Sequence, residues 1–247
     1  MDRMIYVGMT GAKQAMEQQA AVANNMANVS TPGFRAQINS YRAVPVVGDE
    51  IATRAMVVAT TPGADLRAGP LVQTGRPLDV ALRGDGWLTV QTPDGGEAYT
   101  RVGNLQVGAD GQLMTMGAMP LLGDAGPLVV PPGSSLVVSD DGLVSALGAG
   151  DPAVGGAEVG RLKLVNPPAN ALVRGDDGLF RMQAGMAAAP ADPGVRLLSG
   201  ALEGSNVNAV EAMVDMIANA RRFEMQMKTL QTAENNDQQA NKLLGNG

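Results

Sequence analysis

Two pairs of adjacent aspartates, Asp140-Asp141 and Asp176-Asp177, are the residues whose type and spacing first suggest chemistry, because clustered carboxylates bind calcium. Neither pair has the D-x-[DN]-x-[DN]-G spacing of a calcium loop, and no glutamate closes the loop. Each pair is followed by glycine, which is typical of a tight turn. We therefore predict turns at these positions and no metal site.

Catalytic options are few because the chain contains neither histidine nor cysteine. This excludes a Ser-His-Asp triad, a cysteine nucleophile and metal sites built from histidine or cysteine. Gly84-Asp85-Gly86 resembles the start of a nucleotide-binding loop, but Thr89 stands where the third glycine belongs. Only carboxylate, lysine or hydroxyl chemistry remains, so we predict no enzyme and no cofactor.

The composition also narrows the choice of partners. A net charge of −6 argues against nucleic acid or an anionic membrane as the partner. Aromatic residues make up only 3% of the chain, few for a carbohydrate-binding platform. The sequence contains no run of about 18 apolar residues, so we predict no membrane-spanning helix. The opening MDRMIYVGMTGAKQ lacks the apolar region of a secretory signal, so export would need another route.

The chain organisation is two helix-compatible ends around a middle rich in glycine and proline. All fifteen prolines lie between Pro32 and Pro193, and residues 205–244 contain neither glycine nor proline. We predict a mainly β fold, in which an antiparallel β domain is inserted between N- and C-terminal helices that pair like a coiled coil. The predicted boundaries are 1–33 for the first helix and its exit turn, 34–77 for an extended connector, 78–204 for the β domain and 205–247 for the second helix.

Both ends carry narrow apolar stripes with a seven-residue repeat, the pattern of helices that pack on other helices. Asn208 and Glu211 form a plausible capping box for the second helix. The alternative is that both helices pack on the middle domain. We predict contacts between helices and between subunits through Ile5, Met9, Ala12, Met16, Ala23, Met26, Met213, Met216, Ala220, Phe223, Met227 and Leu230.

The first helix ends in the segment ANNMANVSTPGF, residues 23–34. Asn24, Asn25 and Asn28 are interpreted either as assembly contacts or as an ordinary helix exit. Pro32 and Gly33 then predict a tight turn with a positive φ at Gly33, which asparagine would also tolerate.

The middle of the chain reads as antiparallel hairpins. Trp87–Thr92 and Ala98–Arg101 flank the turn signal Pro93-Asp94-Gly95-Gly96. LQVGADGQL, LVVSDDGLV and LVRGDDGLF begin at Leu105, Leu136 and Leu172, and in each of them Asp-Gly follows the leading leucine at the same distance. We predict three hairpins of the same kind.

Three segments resemble the axial proteins of the bacterial flagellum, the rod and hook family. They are ANNMANVSTPGFRA (23–36), LDVALRGDGWLTVQTPDGGEAYTRVGNLQVGADGQL (78–113) and GALEGSNVNAVEAMVDMIANARRFEMQMKTLQTAENNDQQANKLL (200–244). The opening residues and the modest length look most like the proximal-rod proteins of the F type.

The resemblance implies a rod subunit exported by the flagellar secretion apparatus without a cleaved signal. It also implies helical stacking with itself and other rod proteins around a channel in the periplasmic basal body, with no nucleic acid and no membrane insertion. A distal-rod or hook subunit of the same family is the alternative, and a non-flagellar secreted binding module is another.

Overall fold

A computed structural model describes residues 2–45, 55–59, 63–148 and 156–245. The chain folds as two compact units and passes between them four times. The helical unit comprises Met1–Val29, Gln37–Asp65 and Val207–Gly247, and the β unit comprises Ser30–Ala36 and Leu66–Asn206.

The helical unit contains two helices and two strand pairs. Helix α1 (Asp2–Ala27) and helix α2 (Ala209–Gly245) run antiparallel, since Gly8 lies beside Leu230 and Gly11 beside Gln226. Asn208 caps α2, because its side-chain oxygen accepts the backbone N–H groups of Val210 and Glu211. The strands are β1 (Gln37–Ile38) with β4 (Gly63–Ala64), and β2 (Tyr41–Pro45) with β3 (Ala55–Ala59).

The β unit is antiparallel throughout its described strand pairs. Its largest sheet has the order β16-β7-β8-β18-β17, and a second sheet has the order β13-β14-β15. Four further pairs complete it: β5 with β20, β6 with β19, β9 with β10, and β11 with β12. The strands are β5 (Leu71–Gln73), β6 (Val80–Arg83), β7 (Trp87–Gln91), β8 (Glu97–Thr100), β9 (Leu105–Val107), β10 (Leu113–Thr115), β11 (Leu122–Gly123), β12 (Gly126–Pro127), β13 (Ser135–Val138), β14 (Leu143–Leu147), β15 (Ala157–Arg161), β16 (Leu164–Val165), β17 (Leu172–Arg174), β18 (Phe180–Met182), β19 (Arg196–Ser199) and β20 (Ala201–Glu203).

Aliphatic side chains from these short strands form one core. Val90, Leu105, Leu113, Leu121 and Val144 are completely buried in it. The single tryptophan is buried as well: the rings of Trp87 and Phe180 lie 4.5 Å apart between centroids. Trp87 is therefore a built-in fluorescence reporter for folding of the β unit.

The three recurring sequences form three equivalent hairpins, as predicted. Strands β9 and β10, β13 and β14, and β17 and β18 pair antiparallel across the Asp-Gly turns. In each turn the aspartate accepts the backbone N–H two residues on: Gln112 to Asp110, Leu143 to Asp141, and Leu179 to Asp177. These carboxylates therefore serve the turns, and the glycines that follow them have φ of +79°, +82° and +79°.

Residues 34–77 contain pairing that the sequence analysis did not anticipate. We expected an extended connector, but β1 to β4 form two antiparallel pairs within it. The described range also divides, since Gln37–Asp65 belongs to the helical unit and the part from Leu66 to the β unit. Residues 46–54 separate β2 from β3, and this connection is longer than the roughly two- to five-residue hairpin loop that a short turn signal marks.

A substitution at Gly178 tests the hairpin turns. This glycine has a positive φ and open space around its Cα, so alanine introduces backbone strain without a clash. We expect Gly178→Ala to lower the free energy of unfolding by about 1–2 kcal/mol, and Gly178→Asn to lower it less. Urea unfolding followed by Trp87 fluorescence measures both, and equal values for Ala and wild type would contradict the turn assignment.

Candidate functional site

A seam of small residues joins α1 to α2. Ala12, Ala15 and Val22 are buried on α1, and Ala212 and Ala233 are buried on α2. Gly8 is buried too, and a Cβ built on it would lie 2.8 Å from the Leu230 side chain. The small side chains let the two backbones approach closely, so the seam is tight although each stripe is narrow.

Five of the twelve predicted residues lie in the seam. Ala12 is buried in it, and Met26, Met216, Phe223 and Leu230 are half-buried. The side chain of Ile5 lies outside the described residues.

The other predicted residues lie one position beyond the seam. On each helix two rows of residues face the seam, and we call the second of them the companion row. On α1 the companion row is Gly8, Ala15 and Val22, whereas we expected it one residue later, at Met9, Met16 and Ala23. Because glycine and alanine permit the close approach, the larger side chains face outward. We call this exposed set the methionine ribbon: Met9, Met16, Ala23, Met213, Ala220 and Met227.

The ribbon is a continuous surface in the helical unit. In an antiparallel pair, residues that directly follow the companion row on both helices lie along the same side of the seam. The four methionines are 40–60% exposed. The opposite side carries Gln18 and Arg222, which form a 3.5 Å hydrogen bond, and a cleft of about 260 Å³ that Tyr41 of β2 helps to line. Four methionines and two alanines therefore face solvent on the side away from that cleft.

A polar layer interrupts the seam. Gln19 and Asn219 lie at the same level, given the pairing of Gly8 with Leu230, and Asn219 is only 2% exposed. In the described part of the chain, the Oε1 of Gln19 and the Nδ2 of Asn219 have no hydrogen-bond partner. These two amide atoms therefore do not bond each other in the free chain, and each unpaired buried group costs stability.

The asparagines at the end of the first helix make local contacts. The Asn25 side chain donates to the backbone oxygen of Gln37 at 3.0 Å and accepts from its N–H at 2.7 Å. Asn28 donates to the backbone oxygen of Asn24 at 2.9 Å, and Asn24 itself is exposed. Asn25 therefore fastens β1 to α1, which is a role within the chain.

The Pro32-Gly33 turn has the predicted backbone. Gly33 has a φ of +70°, and the Phe34 N–H donates to the Thr31 oxygen at 3.3 Å. A Cβ on Gly33 would lie 2.3–2.6 Å from backbone atoms of Arg101 and Val102. The expectation that asparagine is tolerated is therefore wrong, because the position excludes every side chain.

A buried ion cluster lies beside this turn in the β unit. Glu203 accepts from Arg35 at 2.6 Å, from Arg101 at 2.9 Å and from the backbone N–H of Gly69 at 2.9 Å. The side chains of Arg35 and Glu203 are 0% and 1% exposed. The backbone oxygen of Glu203 also accepts the Gly33 N–H at 2.7 Å.

The electrostatics of the cluster depend on Glu203. Burial lowers the pKa of Arg101, while the neighbouring Glu203 carboxylate acts in the opposite direction. Arg101 also donates to the Gly84 oxygen and lies 5.4 Å from the Trp87 ring centroid. Two buried guanidinium groups thus share one carboxylate, and removal of that carboxylate would leave both uncompensated.

The cluster holds the segments by which the chain enters and leaves the β unit. Arg35, Gly69 and Glu203 each lie within four residues of a unit boundary. Asn206 adds to this, since its side chain accepts the Ala36 N–H at 2.7 Å and donates to the Arg67 oxygen at 3.0 Å. Sequence reasoning missed these residues; the only signal was that Arg35, Arg101 and Glu203 lie inside the three family-like segments.

Three ranges that overlap these segments match known families. Residues 5–35 match the flagella basal body rod protein family, residues 81–146 the flagellar hook protein FlgE/F/G D1 domain, and residues 198–243 the flagellar basal body rod FlgEFG protein C-terminal family. Over 99% of both chains, the protein is 56% identical to the flagellar basal-body rod protein FlgF of Salmonella typhimurium. The chain belongs to the FlgF family of flagellar rod proteins.

Other relatives agree with this placement. The FlgF protein of Escherichia coli K12 is 55% identical over 99% of both chains. The flagellar basal-body rod protein FlgG of Bacillus subtilis is 29% identical over 94% of this chain and 95% of its own. A different rod or hook subunit is therefore not favoured. The protein is a structural flagellar rod protein, and its relatives are named for that role.

Two further findings concern the described residues. Neither described helix contains a stretch long and apolar enough to cross a membrane. Within the described ranges, no three acidic side chains come together as metal ligands would.

Substitution of Gly33 tests the steric constraint at the turn. We expect Gly33→Asn to lower the free energy of unfolding of the β unit by about 1–3 kcal/mol, because the added Cβ must displace backbone. Gly95→Asn is the matched control, since Gly95 has a similar φ of +80° and open space, and we expect a change within about 0.5 kcal/mol. Equal effects in Trp87-monitored unfolding would refute the steric explanation.

Neutralising Glu203 tests the ion cluster. Glu203→Gln should cost about 3–5 kcal/mol, because two buried arginines lose their counter-charge. The control is Glu97→Gln, which breaks the more exposed pair with Lys163 at 2.7 Å and should cost about 1 kcal/mol or less. Chemical unfolding of both variants gives the comparison, and a cost for Glu203→Gln no larger than for the control would argue against the assigned role.

Proposed function

We propose that this chain is a subunit of the proximal rod, which polymerises helically through its terminal helices into the hollow shaft that transmits motor torque to the hook. Its partners are further copies of itself and other rod proteins. The role is structural and needs neither a cofactor nor catalysis.

The observation that carries this proposal is the methionine ribbon. The two helices bury small residues in the seam between them, yet four methionines along one side of the pair stay exposed. Large exposed apolar surfaces on soluble proteins are typical of interaction sites, and methionine adapts to contacts that differ slightly from neighbour to neighbour. In a helical polymer built of related subunits, such adaptable contacts suit the helices.

The buried ion cluster supports the mechanical part of the proposal. Torque that a subunit carries would load the four segments where the chain passes from one unit to the other. Arg35, Glu203 and Asn206 fasten three of the segments next to these passages to the β unit, and a cooperative set of buried hydrogen bonds resists their separation.

Export and location form the finer part of the proposal. Membership of the flagellar rod protein family supports export by the flagellum's own secretion apparatus. The rod subunit would then assemble in the periplasmic space, inside the basal body.

A charge in the ribbon tests assembly through the helices. We expect Met213→Glu to be exported but absent from purified basal bodies, with loss of motility, because a buried unpaired carboxylate is costly. Its Trp87-monitored unfolding should match wild type, since Met213 is outside the β unit. Met116→Glu, an equally exposed methionine of the β unit, is the control and should be incorporated better. Equal incorporation of the two variants would overturn assembly through the helices.

A further inference from the structure

The segment Ser30–Ala36, which we call the exit strap, reaches the β unit separately from the rest of its chain. It belongs to the β unit, whereas the residues on both sides of it, up to Val29 and from Gln37, belong to the helical unit. None of its residues lies in a strand, and the described aliphatic core includes none of them. Phe34, its largest apolar residue, is only half-buried. Apolar burial therefore contributes little to holding the strap in place.

The ion pair beneath the strap is complete without it. The Glu203 carboxylate accepts from Arg101 at 2.9 Å and from the Gly69 N–H at 2.9 Å, so one carboxylate already faces one guanidinium. Arg35 of the strap adds a second buried cation, and its Nε and Nη1 find no hydrogen-bond partner within the described part of the chain. Burial lowers the pKa of Arg101, and the charge of Arg35 acts in the same direction. Closure of the strap thus adds a positive charge to a pair that was already neutral.

A few hydrogen bonds fasten the closed strap. The Gly33 N–H donates to the backbone oxygen of Glu203 at 2.7 Å, and the Ala36 N–H donates to the side-chain oxygen of Asn206 at 2.7 Å. Arg35 adds a bond of 2.6 Å to the Glu203 carboxylate. The net effect of each bond on stability is small, because water replaces the partner when the strap leaves.

Arg174 of the edge strand β17 holds the strap from outside the ion cluster. Its Nη1 donates to the backbone oxygen of Arg35 at 2.9 Å, and its guanidinium lies 4.7 Å from the ring centroid of Phe34. Burial lowers the pKa of Arg174, and no described carboxylate offsets this. The contacts of this arginine with the strap are a charge-assisted hydrogen bond and a cation–π contact.

We propose that the exit strap opens and closes on the folded β unit, with Arg174 as its latch. The closed state predominates, because opening breaks the hydrogen bonds of the strap. Opening is nevertheless easier than unfolding of the core, since Arg35 moves into water while Arg101 keeps the carboxylate paired. An open strap joins the two passages of the chain on either side of it into one longer connector. The proposal concerns the free chain and does not depend on assembly into a rod.

Hydrogen exchange of the full chain, read by mass spectrometry, measures this opening. The reporters are the N–H groups of Gly33 and Ala36, and the reference is the buried strand β7. We expect the strap to exchange at least about tenfold faster than β7. Low concentrations of urea should accelerate β7 but not the strap, because opening of the strap exposes little surface.

Removal of the latch is the sharper test. We expect Arg174→Ala to speed exchange of the strap roughly tenfold, the equivalent of one charge-assisted hydrogen bond, and to leave β7 unchanged. Arg181→Ala is the matched control, because Arg181 belongs to the same hairpin but pairs with Asp177; it should leave the strap unchanged.

A third variant tests whether the ion pair is complete without the strap. We expect Arg35→Met to leave the urea midpoint of Trp87 fluorescence close to that of wild type, because Glu203 and Arg101 stay paired. A fall in the midpoint as large as that of Glu203→Gln would overturn this part of the proposal.

The exchange data decide the rest. A strap that exchanges as slowly as β7, or equal acceleration of the strap and β7 in Arg174→Ala, would show that the strap leaves only when the whole unit unfolds, and would overturn the proposal. Equal effects of Arg174→Ala and Arg181→Ala on the strap would overturn the assignment of Arg174 as the latch.

Discussion

The antiparallel seam between α1 and α2 is the contact on which the rest of the helical unit depends. It brings together the two ends of the chain: Gln18 and Arg222, which form a hydrogen bond beside the seam, are 204 positions apart in the sequence. Glycine and alanine at the seam allow the close approach, and the polar layer of Gln19 and Asn219 interrupts its apolar contacts. Because the small residues occupy the interior, the methionines are left outside, so a single choice of residue size determines both the pairing within a chain and the surface available to neighbours.

The buried carboxylate of Glu203 imposes a comparable constraint on the β unit. It satisfies two arginines and a backbone N–H, while its own backbone oxygen accepts the N–H of Gly33. A buried ion cluster is a poor source of net stability, since desolvation offsets much of the attraction. Its effect here is positional, because any displacement of one of these segments would leave a buried charge or amide without a partner. The exclusion of a Cβ at Gly33 acts in the same direction.

Features that depend on a few neighbouring residues could be predicted from the sequence. The three Asp-Gly hairpins, the Asn208 cap and the positive φ of Gly33 all follow from local backbone chemistry. Five of the twelve predicted helix residues lie in the seam. The seven-residue repeat fits two adjacent rows of residues, and only the packing partner selects the row of small residues. The Glu203 cluster could not be predicted, since it joins residues 168 and 102 positions apart and nothing in the local sequence marks a charged residue for burial. The β2–β3 pair, without a short turn signal, was missed for a related reason.

The central claim is that the seam closes within one chain while the methionine ribbon closes between chains. Methionine oxidation by dilute hydrogen peroxide, read by mass spectrometry, measures this directly, because exposed thioethers form sulfoxides faster than covered ones. Free protein and purified basal bodies are compared at Met9, Met16, Met213 and Met227, with half-buried Met216 of the seam as the internal reference. The account predicts that the four ribbon methionines react readily in the free chain and become protected in the rod, while Met216 changes little. Unchanged reactivity of the ribbon after assembly would contradict it.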